Sequence, residues 1–470
     1  MTNTATGIGR HVLELRVRSL EREVVSSGLD VPGVLARLRG RPGLAALESA
    51  GGSPRRWSIV AFDPVEDFAA SDGAPRTLDE LQRRLAAVEV RGDVPPGPFG
   101  GGFLGGLSYE VGVRGESQTL PAPAWPQPPI AGGLYGSWIV VEHDDDGGIA
   151  AAHLVTDSGT EDAAEFVLGD LSRPAPARAA VGAGPAVRHV EPDEHRARIE
   201  AARALIAEGE IYQANLAHRL TAPVACDALD LYLALRETNP APYMGLLPFA
   251  SPTGERGAVV SSSPELLLQL DVAEDGGRIA RTRPIKGTAP RGSSPAEDEA
   301  LGAALLASRK DLGELAMIVD LERNDLGRIA LPGAVHVEGF PTLQRYPAVQ
   351  HLVADVVARV RPGLGSIDVL ASLFPGGSIT GAPKLRSMEA IAEIEGEGRG
   401  YFTGALGFAD ARGRAAFNVL IRTIVHRERP EGGREVSFHV GSGVTWSSDA
   451  AAEDRETMLK AERLLAALRG

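Results

Sequence analysis

The chain has 470 residues, enough to bury a large core, and its 43% hydrophobic and 23% charged content is ordinary for a globular protein. A formal net charge of −14 argues against a nucleic-acid partner, which requires a basic surface. No apolar run is long enough to span a membrane, and residues 1–10 lack the basic and apolar segments of a secretory signal. The single cysteine, Cys226, excludes a disulfide framework and a cysteine-based metal cluster. We therefore expect a cytoplasmic protein with no membrane contact.

The first part of the chain shows mostly two-residue alternation of apolar and polar side chains. This pattern predicts strands over 57–62 and 133–142, separated by Gly- and Pro-rich turns. Stretches with a helical period predict helices near 32–50 and 77–89.

A linker is predicted at residues 172–186, which are rich in Pro, Ala and Gly and have no apolar period. We therefore divide the chain into an N-terminal region, 1–185, and a C-terminal region, 186–470.

After the linker, a helical period covers Asp193 to Glu208 and ends at Gly209. Residues 210–220 then alternate, which predicts either an exposed strand or the wall of a polar pocket. Further strands are predicted at 258–262, 265–270 and 278–285, and helices near 295–309, 311–323 and 382–394. Because these elements lack a regular βαβ order, they favour an α+β fold.

Lysine is rare in this chain, which has only four lysines among 48 basic residues. An amine can lose its proton and attack carbon, whereas a guanidinium stays protonated. Lys286, Lys384 and Lys460 lie in segments rich in glycine, hydroxyls or carboxylates, and such segments are typical of a catalytic or ligand-binding site. The alternative is a set of ordinary surface lysines in an arginine-biased sequence.

Two pairs of carboxylates have helical spacing. Asp311 and Glu314 are separated by three residues, as are Glu453 and Glu456, so each pair shares a helix face. Together they would suit Mg²⁺, which takes few carboxylates plus water and substrate oxygens. Alternatively they are ordinary surface carboxylates, with Glu456 paired to Lys460 one turn later.

Glycines and hydroxyls precede a predicted helix start at Pro383. Unpaired backbone N–H groups there, with the hydroxyls of Ser378 and Thr380, would hold a carboxylate or phosphate. The spacing is not that of a P-loop, and a plain glycine-rich turn remains the alternative. Gly441 and Gly443 form a second stretch where backbone can approach a ligand closely.

Glu265 ends a strand shortly before Lys286. With a raised pKa it would be a general acid, and otherwise it is an exposed turn residue.

Taken together, these motifs resemble one family. The segments that carry the resemblance are GEIYQANL at 209–216, SPE at 263–265, PIKGT at 284–288, DLERNDLG at 320–327, GSITGAPK at 377–384, GSG at 441–443 and ETMLK at 456–460. They resemble the chorismate-utilising enzymes, specifically the synthase subunit (component I) of aminodeoxychorismate synthase. The resemblance implies a large two-layer β-sandwich of antiparallel sheets with surrounding helices, and a catalytic region at 186–470.

The resemblance also implies a chemistry. Anthranilate synthase subunits carry alanine where this chain has Lys286, whereas aminodeoxychorismate synthases carry lysine. Lys286 would attack chorismate at C2 and expel the C4 hydroxyl, with Glu265 as the general acid, and ammonia would then add at C4 and displace the lysine. Isochorismate and salicylate synthases place a lysine where Gln213 stands, which argues against them.

Further residues are implied to bind metal and substrate. Glu314 and Glu456 would hold Mg²⁺, with Asp311 and Glu453 behind them through water. The implied substrate-binding residues are His351, Ser378, Thr380, Gly381, Arg422, Gly441, Gly443 and Lys460. Arg422 would pair with a substrate carboxylate, and one of Tyr401 and Phe402 would face the substrate.

The ammonia is expected from a separate glutamine amidotransferase subunit, because Cys226 lacks the glycine-rich turn of an amidotransferase nucleophile. Two other functions remain open, namely anthranilate synthase component I and an inactive regulatory protein that binds chorismate or tryptophan. The segment at Glu48 and Ser49 resembles the tryptophan pocket of relatives.

Overall fold

The computed structural model describes residues 10–21, 29–50, 56–68, 75–112, 120–144, 147–157, 163–346 and 349–469. Residues 1–9, from which we inferred the lack of a secretory signal, lie outside this set. None of the helices in the described ranges has the length and apolar character that crossing a bilayer requires.

The described residues form two large sheets, and the larger one contains 13 strands. In spatial order these are β10 (Val187–Arg188), β11 (Gln213–Val224), β23 (Arg434–Val444), β22 (Thr423–Glu428), β13 (Arg256–Ser263), β12 (Tyr243–Ala250), β2 (Ala45–Glu48), β3 (Arg56–Ala61), β8 (Trp138–His143), β9 (Ile149–Asp157), β1 (His11–Ser19) and β5 (Val88–Gly92), with β19 (Gly381–Ala382) beside β11. The neighbours pair antiparallel, except for the parallel pair β1 and β5.

The smaller sheet contains ten strands within the described residues. They are β16 (Ile285–Pro290), β18 (Val349–Val360), β15 (Arg278–Arg283), β14 (Leu266–Val272), β21 (Ala415–Val419), β20 (Ala405–Asp410), β6 (Gly102–Leu107), β7 (Ile130–Tyr135) and β4 (Glu66–Asp67), with β17 (Ala330–Arg345) beside β18.

Ten α-helices accompany the sheets in the described part of the chain. They are α1 (Val31–Arg37), α2 (Leu78–Ala86), α3 (Ala163–Leu171), α4 (Pro192–Ala207), α5 (Ala228–Thr238), α6 (Pro295–Leu306), α7 (Arg309–Gly327), α8 (Ser366–Leu373), α9 (Lys384–Glu395) and α10 (Ala450–Arg469). The helices predicted near 77–89, 193–208, 295–309, 311–323 and 382–394 are confirmed to within a few residues.

The largest apolar core lies between the two sheets. It joins side chains of the larger sheet, such as Val140 and Leu247, to side chains of the smaller one, such as Phe103, Leu268 and Leu352. The predicted two-layer β-sandwich with surrounding helices is therefore confirmed. Each sheet takes strands from both sides of residue 185, and the proposed division of the chain there stays a prediction.

Three element predictions were wrong in part. The helix predicted over 32–50 ends at Arg37, because residues 45–48 pair with two strands as β2. The strand predicted over 133–142 is two strands of different sheets. The strand predicted over 278–285 is interrupted at Pro284, which has no N–H for a sheet hydrogen bond.

Candidate active site

A cavity of about 540 Å³ opens among β16, β18, β23, α7 and α10, a volume typical of small-ligand sites. Twelve of the predicted site residues line it. They are Glu265, Lys286, Asp311, Glu314, His351, Ser378, Arg422, Gly441, Gly443, Glu453, Glu456 and Lys460. The cavity thus brings together residues that are far apart in sequence.

Lys286 projects into this cavity from a bulge in β16. The bulge lies between Lys286 and Thr288, where Gly287 adopts a φ of 73°. The Lys286 Nζ lies 3.4 Å from the Ser378 carbonyl oxygen and 4.0 Å from Oε2 of Glu314. A Cβ atom at Gly443 would lie 2.8 Å from Nε2 of Gln213, so the glycine leaves room for the Gln213 side chain near this amine.

Burial lowers the pKa of Lys286 below its ordinary value, while the negative charges of Glu314 and Glu265 oppose the shift. A lowered pKa increases the neutral fraction of the amine, which is the nucleophilic form. The lysine is therefore suited to attack carbon.

Glu265 is held rigidly in the turn between β13 and β14. Its backbone N–H donates to Oγ of Ser263 at 3.2 Å, and its carbonyl accepts from the N–H of Val419 at 3.1 Å. The residue is only 4% exposed, so the alternative of an exposed turn glutamate is wrong. Burial raises its pKa to about 7, against the opposing effects of Ser378 and Lys286. Glu265 can therefore hold a proton near neutral pH and donate it.

The two carboxylate pairs face each other from α7 and α10. Lys310 marks their proximity, since its Nζ lies 4.0 Å from Oε1 of Glu314 and 3.8 Å from Oε1 of Glu453. The Ser448 hydroxyl donates to the same Glu453 oxygen at 2.7 Å. Lys460 lies 2.8 Å from Oε1 of Glu456. Both carboxylate pairs therefore belong to one site.

The donor set fits Mg²⁺. Oε1 of Glu314 is buried and has no hydrogen-bond partner among the described residues. Burial raises the pKa of Glu314, and the nearby carboxylates of Asp311 and Glu453 act in the same direction, so a bound cation would relieve both effects. Within the described residues, no three of the site carboxylates each bring an oxygen within 4.8 Å of the others. At this spacing the carboxylates would hold one Mg²⁺ only together with water or substrate oxygens, which this ion takes as ligands.

We expect Glu314→Gln to weaken the binding of Mn²⁺, a spectroscopic substitute for Mg²⁺, by at least about tenfold, because it removes a charged ligand with little change of shape. Electron paramagnetic resonance of free Mn²⁺ measures this directly. Asp320→Asn removes a 79% exposed carboxylate from the same helix and is the matched control. Equal Mn²⁺ affinities of the Glu314→Gln and Asp320→Asn variants would contradict the role of Glu314 as a metal ligand.

His351 offers a hydrogen-bond acceptor to the cavity. Its Nδ1 lies 2.9 Å from the Thr288 hydroxyl and 3.2 Å from the Gly287 carbonyl oxygen. The carbonyl can only accept and the hydroxyl is able to, so a proton on Nδ1 satisfies both contacts. Nε2 then has a free lone pair, and it is buried without a partner in the described part of the chain. Burial lowers the pKa of the ring to about 4, which keeps it neutral. His351 is therefore suited to accept a hydrogen bond from a ligand hydroxyl.

Arg422 and Arg463 give one part of the cavity a positive charge. Burial lowers the pKa of Arg422 to about 10, with a further contribution from Arg463, so its guanidinium stays charged at neutral pH. Among the described residues, no carboxylate forms an ion pair with Arg422. This half-buried charge lines the cavity, where a carboxylate would be a favourable partner, so the guanidinium favours an anionic ligand.

The family model described as chorismate binding enzyme matches residues 45–466. The chain belongs to this family. It is a chorismate-utilising enzyme, and Lys286, the carboxylates and the Arg422 guanidinium share one cavity.

Curated relatives carry two different names. The chain is 34% identical to anthranilate synthase component 1 3 of Haloarcula marismortui, covering 90% of this chain and 85% of the relative. It is 37% identical to anthranilate synthase component 1 of Streptomyces coelicolor, covering 89% and 82%. It is also 37% identical to an aminodeoxychorismate synthase of Streptomyces pristinaespiralis, covering 84% of this chain and 54% of the relative.

Solved structures support the fold. Anthranilate synthase component I from Streptococcus pneumoniae superposes with a TM-score of 0.72 at 29% identity, over 88% of this chain and 93% of that one. The menaquinone-specific isochorismate synthase MenF of Escherichia coli superposes with a TM-score of 0.69 at 20% identity, over 97% of this chain and 95% of that one. At this identity the likeness shows the fold alone.

Two predicted binding residues do not line the cavity as the structure describes it. The Thr380 hydroxyl donates to the Gly376 carbonyl at 2.9 Å within its own turn. Gly381 pairs with Ala214 of β11, and a Cβ atom there would lie 2.0 Å from the Gln213 carbonyl oxygen. Both positions thus support the turn that carries Ser378. Lys384, at the start of α9, is also structural, since its Nζ lies 2.6 Å from Asp325.

Several lining residues were missed by the sequence analysis. They include Asn215, Thr288, Lys310 and Arg463. Asn215 shows that β11 is the wall of a polar pocket rather than an exposed strand. Phe402 lines the cavity, whereas Tyr401 is fully buried and donates to the Pro128 carbonyl at 2.9 Å. For Lys310, its spacing one residue before Asp311 and four before Glu314 was the available signal.

A second cavity of about 320 Å³ includes Glu48 and Ser49, at the segment that resembles the tryptophan pocket. The Glu48 carboxylate already accepts from the Tyr232 hydroxyl at 2.6 Å and from Nε of Arg236 at 2.9 Å. Tryptophan binding there stays a prediction.

Proposed function

We propose that this enzyme aminates chorismate at C4 to give 4-amino-4-deoxychorismate, in the branch that leads to p-aminobenzoate and folate. The observation that carries the proposal is Lys286, a buried amine with a lowered pKa beside Glu265 and Glu314. Anthranilate synthases are expected to have alanine at this position. The similarity to an aminodeoxychorismate synthase also supports the proposal.

In the proposed first step, the neutral Lys286 amine forms a bond to C2 of chorismate. The ring double bonds shift, the C4–O bond breaks, and Glu265 gives its proton to the departing hydroxyl, which leaves as water. Ammonia then forms a bond at C4, the double bonds shift back, and the C2–N bond to the lysine breaks. The ammonium group formed at C4 gives a proton back to the Glu265 carboxylate, and the lysine leaves as a neutral amine. Both residues are thereby restored for another cycle.

Other residues of the cavity would orient the substrate. Arg422 would bind a carboxylate, and Nε2 of His351 would accept from a hydroxyl. Gly441 and Gly443 would let backbone approach the ligand, with Lys460 fixed by its 2.9 Å hydrogen bond to the Gly441 carbonyl. Glu314 and Glu456, with Asp311 and Glu453, would hold Mg²⁺. When bound, the ion would neutralise a substrate carboxylate and polarise the site.

Ammonia would come from a separate glutamine amidotransferase subunit. Burial raises the pKa of the Cys226 thiol to about 11, so the thiolate needed for glutamine hydrolysis is scarce. The chain has no other cysteine.

Mass spectrometry of the reaction products tests the proposal. With chorismate, Mg²⁺ and an ammonium salt at mildly alkaline pH, we expect aminodeoxychorismate, with p-aminobenzoate only after a lyase is added. A metal chelator should stop the reaction, and glutamine should replace ammonium only when the partner subunit is present. Efficient use of glutamine by the chain alone would contradict the proposed partner.

Anthranilate synthase component I is the second candidate, because several similar relatives carry that name. Anthranilate as the product would establish it and would mean that Lys286 does not direct the reaction to C4. Chorismate binding without turnover would instead indicate a regulatory protein.

A further inference from the structure

A buried polar network anchors α10, the helix that carries Glu453 and Glu456. Asp454 accepts through Oδ1 from Nδ1 of His195 at 2.8 Å and from Nη2 of Arg188 at 2.5 Å. Thr457, one turn later, lies 2.9 Å from Nε2 of His218. His195 belongs to α4, Arg188 to β10 and His218 to β11. The helix is therefore tied to three separate elements.

The hydrogen bonds fix the proton positions on both rings. A carboxylate only accepts, so His195 carries its proton on Nδ1. The Thr457 hydroxyl donates to the Asp454 carbonyl at 2.7 Å, so it accepts from Nε2 of His218. Each ring thus donates one bond to α10, and the directions of these bonds constrain how the helix is rotated.

The anchored residues lie next to the carboxylates around the helix. Glu453, Glu456 and Lys460 follow one stripe of α10, and Asp454 and Thr457 follow the stripe about 100° away. Because side chains reach about 5–6 Å from a helix axis, a rotation of 10° moves a carboxylate by about 1 Å. Metal and catalytic sites need their groups placed to within about 0.5 Å. Small rotations would therefore separate these carboxylates from Glu314.

We infer that this network is a positioning device that sets the rotation of α10, and so places Glu453 and Glu456 against Glu314 for the cation. The inference rests on the metal in the proposed function. Arg188, His195 and His218 do not line the cavity, so they act only through the helix.

A transition-metal site is the competing explanation for the same cluster. Donor atoms of His195, His218 and Asp454 lie within 4.8 Å of one another, and Nε2 of His195 and Nδ1 of His218 are buried without partners in the described residues. However, the Asp454 oxygen already binds both His195 and the Arg188 guanidinium. A metal ion would lie beside that positive charge, which favours the positioning role.

Substitutions at Thr457 test the inference in the full chain without substrate. Thr457→Val removes the hydroxyl and keeps the branched shape, and Thr457→Ser keeps the hydroxyl. We expect Thr457→Val to weaken Mn²⁺ binding about tenfold, which is the usual effect of losing a hydrogen bond that supports a metal ligand. We expect the Mn²⁺ affinity of Thr457→Ser to stay within about twofold of that of the unsubstituted protein. Asp454→Asn should weaken binding in the same direction, which provides a second variant if Thr457→Val does not fold.

The control for a general loss of stability is Tyr135→Phe, on strand β7. This change removes a buried hydroxyl that donates to the Gly43 carbonyl at 2.8 Å. Melting temperatures of all variants are compared, and we expect Tyr135→Phe to leave Mn²⁺ affinity unchanged. Unaltered Mn²⁺ affinity in Thr457→Val and Asp454→Asn would overturn the positioning role. Stoichiometric zinc that is retained by the protein and lost in His218→Ala would overturn it in favour of a metal site.

The same experiment separates this inference from the proposed reaction. Absence of Mn²⁺ binding by the unsubstituted protein would remove the cation and overturn the inference with it. Mn²⁺ binding that depends on Thr457, together with anthranilate as the product, would support the inference and overturn only the amination at C4.

Discussion

Lys286→Ala is expected to reduce aminodeoxychorismate formation by about three orders of magnitude, the scale on which removal of a nucleophile acts in covalent enzymes. Glu265 and Glu314, which lie beside this amine, are acids and cannot replace it as a nucleophilic amine. The variant should still bind Mn²⁺, because the lysine is not a metal ligand. Product analysis and Mn²⁺ binding on the same preparation measure the two effects.

Lys310→Met is the matched control, because Lys310 also lies 4.0 Å from Glu314 but is 53% exposed at its side chain. If only the positive charge near Glu314 mattered, both lysine variants would lose activity alike. We expect Lys310→Met to lose no more than about tenfold in the rate of product formation, because a partly solvated charge contributes little. Undiminished product from Lys286→Ala would contradict the covalent mechanism.

The covalent adduct gives a direct test of the same step. Without ammonia, intact-protein mass spectrometry of the unsubstituted enzyme should show an increase equal to chorismate minus one water. The increase should map to the peptide containing Lys286 and be absent from Lys286→Ala.

Local spacing predicted which carboxylates share a helix face, but not that the two helices bring these faces together. The i, i+3 pairs on α7 and α10 follow from helix geometry alone. Nothing in either segment indicates that residues near 314 and 453 approach each other, because this contact depends on how both helices pack on the sheets. Only the resemblance to a known family placed them together.

The features that local spacing did not predict depend on packing between segments that are distant in sequence. Residues 45–48 have a sequence that suits a helix, yet they form β2 because strands β3 and β12 lie on either side. Thr380 and Gly381 carry the right chemistry for a ligand site, but spacing alone did not predict their packing against β11, and their binding role stays a prediction. The choice between Tyr401 and Phe402 also depends on packing, since the two rings are adjacent in sequence and point to different places.

Glu265→Gln should lower kcat/KM by about 10²–10⁴-fold, the usual contribution of a general acid. Burial raises the pKa of Glu265 to about 7, so its acidic form is lost as the pH rises through 7. The activity of the unsubstituted enzyme should therefore fall on the alkaline side. Protonation of Lys286 should lower it on the acidic side, where the neutral amine is depleted. A profile of kcat/KM against pH measures both limbs.

The alkaline limb should disappear in Glu265→Gln, because glutamine has no proton to lose. Glu322 provides the control, as a second buried carboxyl that accepts from Thr282 at 3.1 Å and whose pKa burial raises well above the ordinary value. Burial favours the protonated, uncharged form of Glu322, and Glu322→Gln replaces this carboxyl by an uncharged group of the same shape. We expect this variant to keep the alkaline limb. The opposite result, in which Glu322→Gln lost the alkaline limb and Glu265→Gln kept it, would contradict the role of Glu265 as the acid. Glu322 would then protonate the leaving hydroxyl, and Glu265 would act as a fixed negative charge beside Lys286.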